Sequence, residues 1–421
     1  MPHFGYVDGR LHCEGVAVES TVREYGTPLY VYSRATIEDR LAEFEGAFEP
    51  LDPLVAYSVK ANGNLSILRL LAERGAGADI VSGGELHRAL LAGVPAERIV
   101  FSGVGKTVAE MAAALSTGIY GFNVESAGEL HALAELARAM DREAPVALRM
   151  NPDIESPTPH AYTRTGHGES KFGIPWTEGA RLYRTASRLG GIRLRGIDVH
   201  IGSQILEPEP YRQALLQVLE LVEELRTEGI PLEYVDLGGG FGIAYEDESH
   251  HETPPAARFA SELVPHLAGT GLRLVLEPGR FIVGPAGILL TRVLYVKEMG
   301  RKTYVITDAG MNDLLRPSHY ASFHAVRPAV LCEGRERVPV DVVGPICESG
   351  DFLALDRPIE RPEPGELLAI FTTGAYGFSM ASTYNARTRP AEVLVDGEAF
   401  RLVRPRETQA ELVGAEADLL R

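Results

Sequence analysis

The chain has 421 residues, 45% hydrophobic and 24% charged, which suits a large α/β domain with a smaller companion rather than one ordinary domain. Its 58 acidic side chains outnumber 41 basic ones, a formal net charge of -17 that repels phosphate backbones and acidic lipid, so neither nucleic acid nor a membrane surface is an expected partner. Cys13, Cys332 and Cys347 show no CxxC pairing, which argues against a disulfide framework or a thiolate metal site and fits a reducing cytoplasm.

The first residues, MPHFGYVDGRLHCEG, lack a basic stretch ahead of an apolar core, and no later run is apolar for long enough to span a bilayer, so a soluble protein is expected. FGYVDGRLHCEGVAV reads as a hairpin turned on Asp8-Gly9. From about residue 54 to 277 a short β-rich run, a turn and an amphipathic helix keep alternating. Eight runs stand out: LVAYSVK, GADIVS, RIVFSG, IYGFNV, PVALRM, RLRGIDVH, LEYVDLGGG and LRLVLEP. Helical patterns such as NLSILRLLAERG, GELHRALLAGV, AGELHALAELARAM and YRQALLQVLELVEELRTEG lie between them. Eight βα units imply a closed parallel (β/α)8 barrel of the TIM type, although an open doubly wound sheet also carries such units.

After EPGRFIVGPAG the texture changes. The runs ILLTRVLYVKE, KTYVITDAG, VPVDVVG, ELLAIFTTG and AEVLVDGEAFRLV follow with few helices between them, an all-β module that the N-terminal segment is expected to complete. The expected division is a barrel over residues 28–278 and a β-sandwich or barrel-like domain over 1–27 and 279–421.

In such a barrel the reactive groups stand at the C-terminal ends of strands. Lys60 ends the first strand, where its amine can condense with a carbonyl, either of a substrate or of pyridoxal phosphate. Gly238, Gly239 and Gly240 end the seventh strand, and Glu277, Pro278, Gly279 and Arg280 follow the eighth, the usual place for a phosphate cradle. Glu277 needs a facing cation there: the pyridinium nitrogen of pyridoxal phosphate is one, and Arg280 or another arginine is the structural alternative. His200 is a candidate to lie against a cofactor ring or to be a hydrogen-bonded structural group, and Ser203 to donate to the phosphate. Asp79, Glu85 and Arg149 sit at strand ends or helix starts and have capping or ion-pair alternatives.

The motifs YSVKAN, HIGSQ, LGGGFG, EPGR, ICESGDFL and GAYGFSMASTYNARTRPAEVLV, in this order, resemble the diaminopimelate decarboxylases, within the barrel-type pyridoxal phosphate enzymes that include ornithine and arginine decarboxylases. The resemblance implies pyridoxal 5'-phosphate as cofactor, decarboxylation of meso-2,6-diaminopimelate to L-lysine as the last step of a lysine biosynthetic route, and a homodimer with shared active sites. It makes Lys60 the cofactor-anchoring lysine, His200 the ring-stacking residue, Gly238 to Gly240 with Glu277 to Arg280 the phosphate cradle, and Glu277 the partner of the pyridine nitrogen. Cys347 resembles the proton donor given to the other subunit's site, kept as a neutral thiol by burial near carboxylates, with Glu348 touching substrate. Arg280, Arg316 and Tyr320 resemble a clamp on the distal carboxylate, and Tyr376 a residue reaching both phosphate and substrate. Cys13 and Cys332 keep the reading of small buried groups. The chain departs from the family at Ser318 and His319, and STYNARTRP, with Thr383, differs from the usual SNYNSRPRP. HAYTRTGHGESKFGI resembles a segment at the mouth of the site, with Lys171 either a contact or a surface charge. A decarboxylase of another basic or carrier-bound amino acid, an amino-acid racemase and a non-catalytic cofactor carrier share much of this construction.

Overall fold

All eight expected strand runs form parallel strands of one barrel in the computed structural model, which describes residues 3–154, 170–245, 253–332 and 334–420. In chain order the strands are Leu54–Ser58, Gly77–Ile80, Ile99–Phe101, Gly121–Val124, Ala144–Asn151, Ile192–Val199, Tyr234–Asp236 and Arg273–Leu276. Each pairs with the next, and the ring closes where Val275 and Leu276 meet Leu54 and Val55, which excludes the open doubly wound sheet. Pairing in a ring removes the exposed edges that an open sheet would leave. One extra short strand, Ile174–Pro175, adds to the outside of the fifth.

Strands hand over to helices through side-chain caps. Asn64 accepts from the Ser66 N–H, Ser82 from Glu85, Thr107 from Glu110 and Ser126 from Glu129. The apolar stripes of these helices are buried, as the periodicity requires. Inside the barrel Leu54, Ala56, Val100, Tyr120, Ala147, Tyr234 and Val275 form an apolar layer, so the centre is a packed core. Polar chemistry is therefore confined to the strand ends above it.

The chain divides into two compact units: Leu41–Ile243 with Thr253–Phe281, which holds the barrel, and Met1–Arg40 with Ala244–Glu252 and Ile282–Arg421. In the second unit the strand Gly287–Met299 is the spine, pairing with Lys302–Thr307, Leu367–Ile370 and Leu29–Ser33. Further strands extend the sheet on both sides, through Arg337–Val343 to Phe352–Glu360 and through Ala391–Asp396 to Ala399–Arg404.

The N-terminal part of this unit departs from the expected division at one point. Leu29–Ser33 lies beyond the expected join at residue 28, yet it pairs inside the all-β sheet and not in the barrel. It is buried along its whole length, so LYVYS has the same unbroken apolar look as a barrel strand. The hairpin turned on Asp8 and Gly9, both at positive φ, exists, but it forms its own three-stranded sheet of Phe4–Val7, Arg10–Cys13 and Val16–Ala17. That sheet packs Phe4, Leu11, Cys13 and Val16 into one core with Val31, Leu290, Phe371 and Val393, and an antiparallel bridge between Arg10 and Val330, with the Leu11 N–H donating to the Ala329 carbonyl, joins it to the rest of the unit, so the N-terminal segment completes the all-β unit as expected.

No helix among the described residues is long and apolar enough to cross a membrane. Residues 160–169 of the segment compared above with the mouth of the site lie outside the described residues.

Candidate active site

Each of the eight barrel strands carries a buried polar side chain within two residues of its C-terminal end: Ser58, Asp79, Ser102, Asn123, Arg149, Asp198, Asp236 and Glu277. Four are carboxylic acids and one is an arginine, so this end of the barrel holds a surplus of acid where charge is costly. Lys60 enters this ring from the turn after the first strand. Its Nζ donates to Asp79 Oδ2 at 2.6 Å, with the lysine side chain 35% exposed and the aspartate sealed, so the amine is held from below and reachable from above. Ser58 Oγ lies 2.8 Å from the same Asp79 oxygen and 2.9 Å from the Glu277 carbonyl, tying the first, second and eighth strands together.

Glu277 is not held by Arg280, the structural alternative raised from the sequence. Its Oε1 accepts from Ser102 Oγ at 3.2 Å and from Asn123 Nδ2 at 3.3 Å. Burial pushes its pKa well above the usual carboxylate range, Asp236 and Asp79 push it further, and Lys60 and Arg149 oppose them. Burial likewise pushes Asp236 up to about 8, and Asp198 well above its ordinary value. Arg149 is engaged by Glu125 at 3.0 Å, lies 3.9 Å from Asp198 and stacks on the Phe172 ring. Glu125 also accepts from the Gly103 and Gly173 N–H groups, so this acid, which the sequence reading passed over, sets where Arg149 stands. Glu85 accepts from the Val81 N–H at 2.7 Å, and burial raises its pKa to about 7.

His200 Nδ1 accepts the Gly239 N–H at 3.2 Å, which requires that nitrogen to be unprotonated. Burial, with Arg149 and Lys60 adding to it, pushes the imidazole pKa well below its ordinary value, so the ring is neutral. The Gly238 N–H is also committed, to Asp236 Oδ1 at 2.9 Å, and Tyr211 donates to the Gly239 carbonyl. Two of the three amides expected to face an anion are thus spent on fixing the loop. Side chains are excluded here: a Cβ on Gly239 would lie 2.3 Å from the Glu277 carbonyl oxygen, and one on Gly240, at φ +94°, 2.1 Å from that of Gly202. Arg280 Nη2 donates to Ser203 Oγ at 3.1 Å, which joins the two side chains expected beside a phosphate. Pro278 accepts the Ser58 N–H, and Gly279 would bring a Cβ within 2.9 Å of those of Ser58 and Ala61.

The remaining expected residues belong to the other unit. Arg316 is buried; it bonds His324 and Ser322 and stands over the Tyr245 ring at 5.0 Å and the Tyr320 ring at 5.8 Å. Cys347 is exposed on the single chain. Its loop is pinned by Asp351, which accepts from the Met311 and Ile346 N–H groups at 2.6 Å each, while the Cys347 N–H donates to Asn385 Oδ1 at 2.9 Å. Glu348 is exposed and accepts from Tyr384. Thr372, Tyr376, Asn385 and Ala386 all have positive φ without being glycine, so strained backbone clusters in the loops that carry Tyr376 and anchor Cys347. Cys13 is buried and Cys332 partly so. Of the departures, His319 is exposed against the Tyr320 ring at 4.5 Å and Thr383 is exposed. Lys171 is exposed, 5.0 Å over the Phe172 ring.

The barrel residues fit a pyridoxal phosphate. The acid at the last strand binds a proton tightly enough to share it with a pyridine nitrogen, the glycine loop admits no side chain, and the lysine amine is reachable.

A closed (β/α)8 barrel with a lysine in the turn after its first strand and a proton-binding acid just past its last has the layout of a cofactor-dependent barrel enzyme. Residues 34–284 match the family model described as pyridoxal-dependent decarboxylase, pyridoxal binding domain, and the chain belongs to this family. It is 47% identical to a diaminopimelate decarboxylase of Aquifex aeolicus over 418 residues, 99% of this chain and 98% of that one. It is 48% identical to that of Neisseria meningitidis serogroup B, over 94% and 95% of the two chains. Among solved structures, diaminopimelate decarboxylase from Helicobacter pylori complexed with L-lysine superposes with a TM-score of 0.91 at 40% identity, covering 95% of this chain and 99% of that one. The enzyme from M. jannaschii in complex with L-lysine gives 0.92 at 37% identity, covering 98% and 97%.

The acid surplus has a consequence for stability. Asp236 titrates at about 8 when folded and near its ordinary value of about 4 when unfolded. Between these values the folded chain binds more protons, so stability falls as pH rises. His200 acts in the opposite sense, but only below its ordinary pKa of about 6.5. Urea titrations of the cofactor-free protein should therefore show a lower midpoint at pH 8.5 than at pH 7; an unchanged or higher midpoint contradicts the charge assignment.

Proposed function

We propose that the protein decarboxylates meso-2,6-diaminopimelate to L-lysine and carbon dioxide, with pyridoxal 5'-phosphate anchored on Lys60. The observation that carries this reading is the Lys60 amine, held 2.6 Å from Asp79 and reachable from outside, in a barrel whose last strand ends in the proton-binding acid Glu277. Near-full-length identity to diaminopimelate decarboxylases supports the choice of substrate.

When bound, the cofactor supplies an electron sink for the pair left behind as carbon dioxide departs. Glu277 would share a proton with its ring nitrogen, and Ser102 and Asn123 keep that carboxylate pointed. Neutral His200 offers a flat, uncharged face. Asp79 orients the Lys60 amine. Gly240, Ser203, Arg280 and Tyr376 hold phosphate. Arg280, Arg316, Tyr320 and Glu348 bind the distal amino-acid end of the substrate, where a guanidinium fork matches a carboxylate. Loss of carbon dioxide breaks one carbon–carbon bond, and the Cys347 thiol returns a proton to the carbon that kept the electron pair.

The reading carries with it a cytoplasmic homodimer, related by a two-fold axis, in which Cys347 serves the partner's site. It also assigns cofactor binding to the barrel unit with Tyr376 added from the all-β unit, and substrate and dimer contacts to the all-β unit with Arg280 added from the barrel unit.

Two experiments test it. Purified protein supplied with cofactor and meso-2,6-diaminopimelate should release carbon dioxide and lysine; turnover of another amino acid with none of this one would overturn the substrate assignment. Mixing a Lys60→Ala protein with a Cys347→Ala protein should restore up to about a quarter of wild-type activity, because random pairing gives one intact site per mixed dimer. Failure to recover any, with subunit exchange demonstrated, argues against sharing.

A further inference from the structure

Three polar side chains of the barrel end have no role in the mechanism beyond contact with Glu277 or with one another: Ser102, Asn123 and Asp236. Asn123 is fully buried, and its Nδ2 lies 3.2 Å from Ser102 Oγ, 3.2 Å from Asp236 Oδ2 and 3.3 Å from Glu277 Oε1. Its amide has two hydrogens for these three acceptors, and the Ser102 hydroxyl supplies its own hydrogen to Glu277 at 3.2 Å. Both bonds to Glu277 thus converge on a single oxygen, Oε1. The other side of the bridge reaches the glycine loop, because Asp236 accepts the Gly238 N–H through Oδ1 at 2.9 Å.

Neither end can turn freely. Asn123 Oδ1 has no partner, and rotating the amide would set it against two carboxylate oxygens. The Asn123 backbone is fixed as well: buried Lys106 donates to its carbonyl, to that of Gly103 and to Glu129, each at 2.7 Å. Gly238, at φ +66°, has no room for a side chain, since a Cβ there would lie 2.6 Å from His200 Nδ1. Asp236 therefore cannot be replaced as an acceptor by a neighbour on that loop.

We propose that Asn123 and Asp236 are positioning residues that form one hydrogen-bonded bridge between the ring-nitrogen acid Glu277 and the Gly238 turn of the glycine loop, fixing the spacing of the two ends of the cofactor site. The inference rests on the cofactor reading given above. It explains why a carboxylate with a raised proton affinity is kept at the end of the seventh strand although an apolar side chain would fill the space at less cost. Asp236 accepts from both sides, from Asn123 and from Gly238, and no side chain of that size other than a carboxylic acid can accept at both oxygen positions.

The isosteric change Asp236→Asn exposes the role. Either oxygen of the acid can accept but the nitrogen of an amide cannot, so either the Gly238 N–H or the Asn123 amide then faces a second donor, and Asn123 relieves this by turning its oxygen to the new amide, which removes its donor from Glu277 and sets that oxygen against it. The experiment compares wild type, Asp236→Asn, Asn123→Ala, Ser102→Ala and Ser102→Thr, each loaded with pyridoxal phosphate. It reads cofactor affinity, the cofactor absorption spectrum, melting temperature, and kcat and KM for meso-2,6-diaminopimelate. Asp236→Asn should stay folded, shift the absorption band, weaken cofactor binding and lower kcat about tenfold to a hundredfold, the scale for removing an outer partner of a site group, with KM changed far less. Ser102→Thr should stay closer to wild type than Ser102→Ala, because it keeps the hydroxyl.

Wild-type spectrum, affinity and kcat in folded Asp236→Asn would overturn the bridge while leaving the assigned function standing. If Asp236→Asn fails to fold, Asn123→Ala decides: a folded protein with wild-type kcat and spectrum would overturn the bridge. Absence of cofactor binding by wild type would overturn both the bridge and the reading beneath it.

Discussion

Carboxylic acids buried together at one end of a barrel must be paid for by cations, by protons or by hydrogen bonds. Asp79, Asp198, Asp236 and Glu277 share that space with one arginine and one reachable lysine. Much of the local structure follows from this imbalance. Lys60 is drawn onto Asp79, Arg149 is caught between Glu125 and Asp198, and the remaining acids hold protons at pH values where exposed ones would not. A surplus of proton-binding acid is an unfavourable core but a suitable receptor for a protonated nitrogen heterocycle, because the incoming ring supplies the positive charge that the barrel lacks.

The same economy appears in the backbone. The glycine loop is rigid because its amides are already bound: Gly238 to Asp236 and Gly239 to His200. That second bond also fixes the imidazole as an acceptor, so loop geometry and the neutrality of His200 are one fact. In the all-β unit, Asp351 does comparable work for the Cys347 loop through two backbone amides, and four non-glycine residues at positive φ are tolerated around it. Strain of that kind persists where surrounding contacts over-determine the chain.

Most of the architecture was legible because the barrel strands alternate with well-capped helices at regular spacing. The hairpin was legible from Asp8-Gly9. Leu29–Ser33 was not, since a buried five-residue run looks alike in any sheet and only long-range pairing with Gly287–Met299 and Ala391–Asp396 assigns it. Among site residues, Lys60 and Glu277 stood out as charges ending apolar runs. Ser102, Asn123 and Asp236 did not, because a single small polar residue at a strand end has ordinary explanations. Their signal was collective, one polar residue at the same end of every strand, and it emerges only when all eight ends are aligned.

The central claim is that Lys60 is the covalent anchor of the cofactor. Borohydride reduction of the cofactor-loaded protein, followed by proteolysis and mass spectrometry, tests it most directly. The account predicts a stable pyridoxyl phosphate modification on the peptide containing Lys60, absent from a Lys60→Ala protein. A modification on another lysine with Lys60 untouched, or none on a protein that turns over substrate, would contradict it.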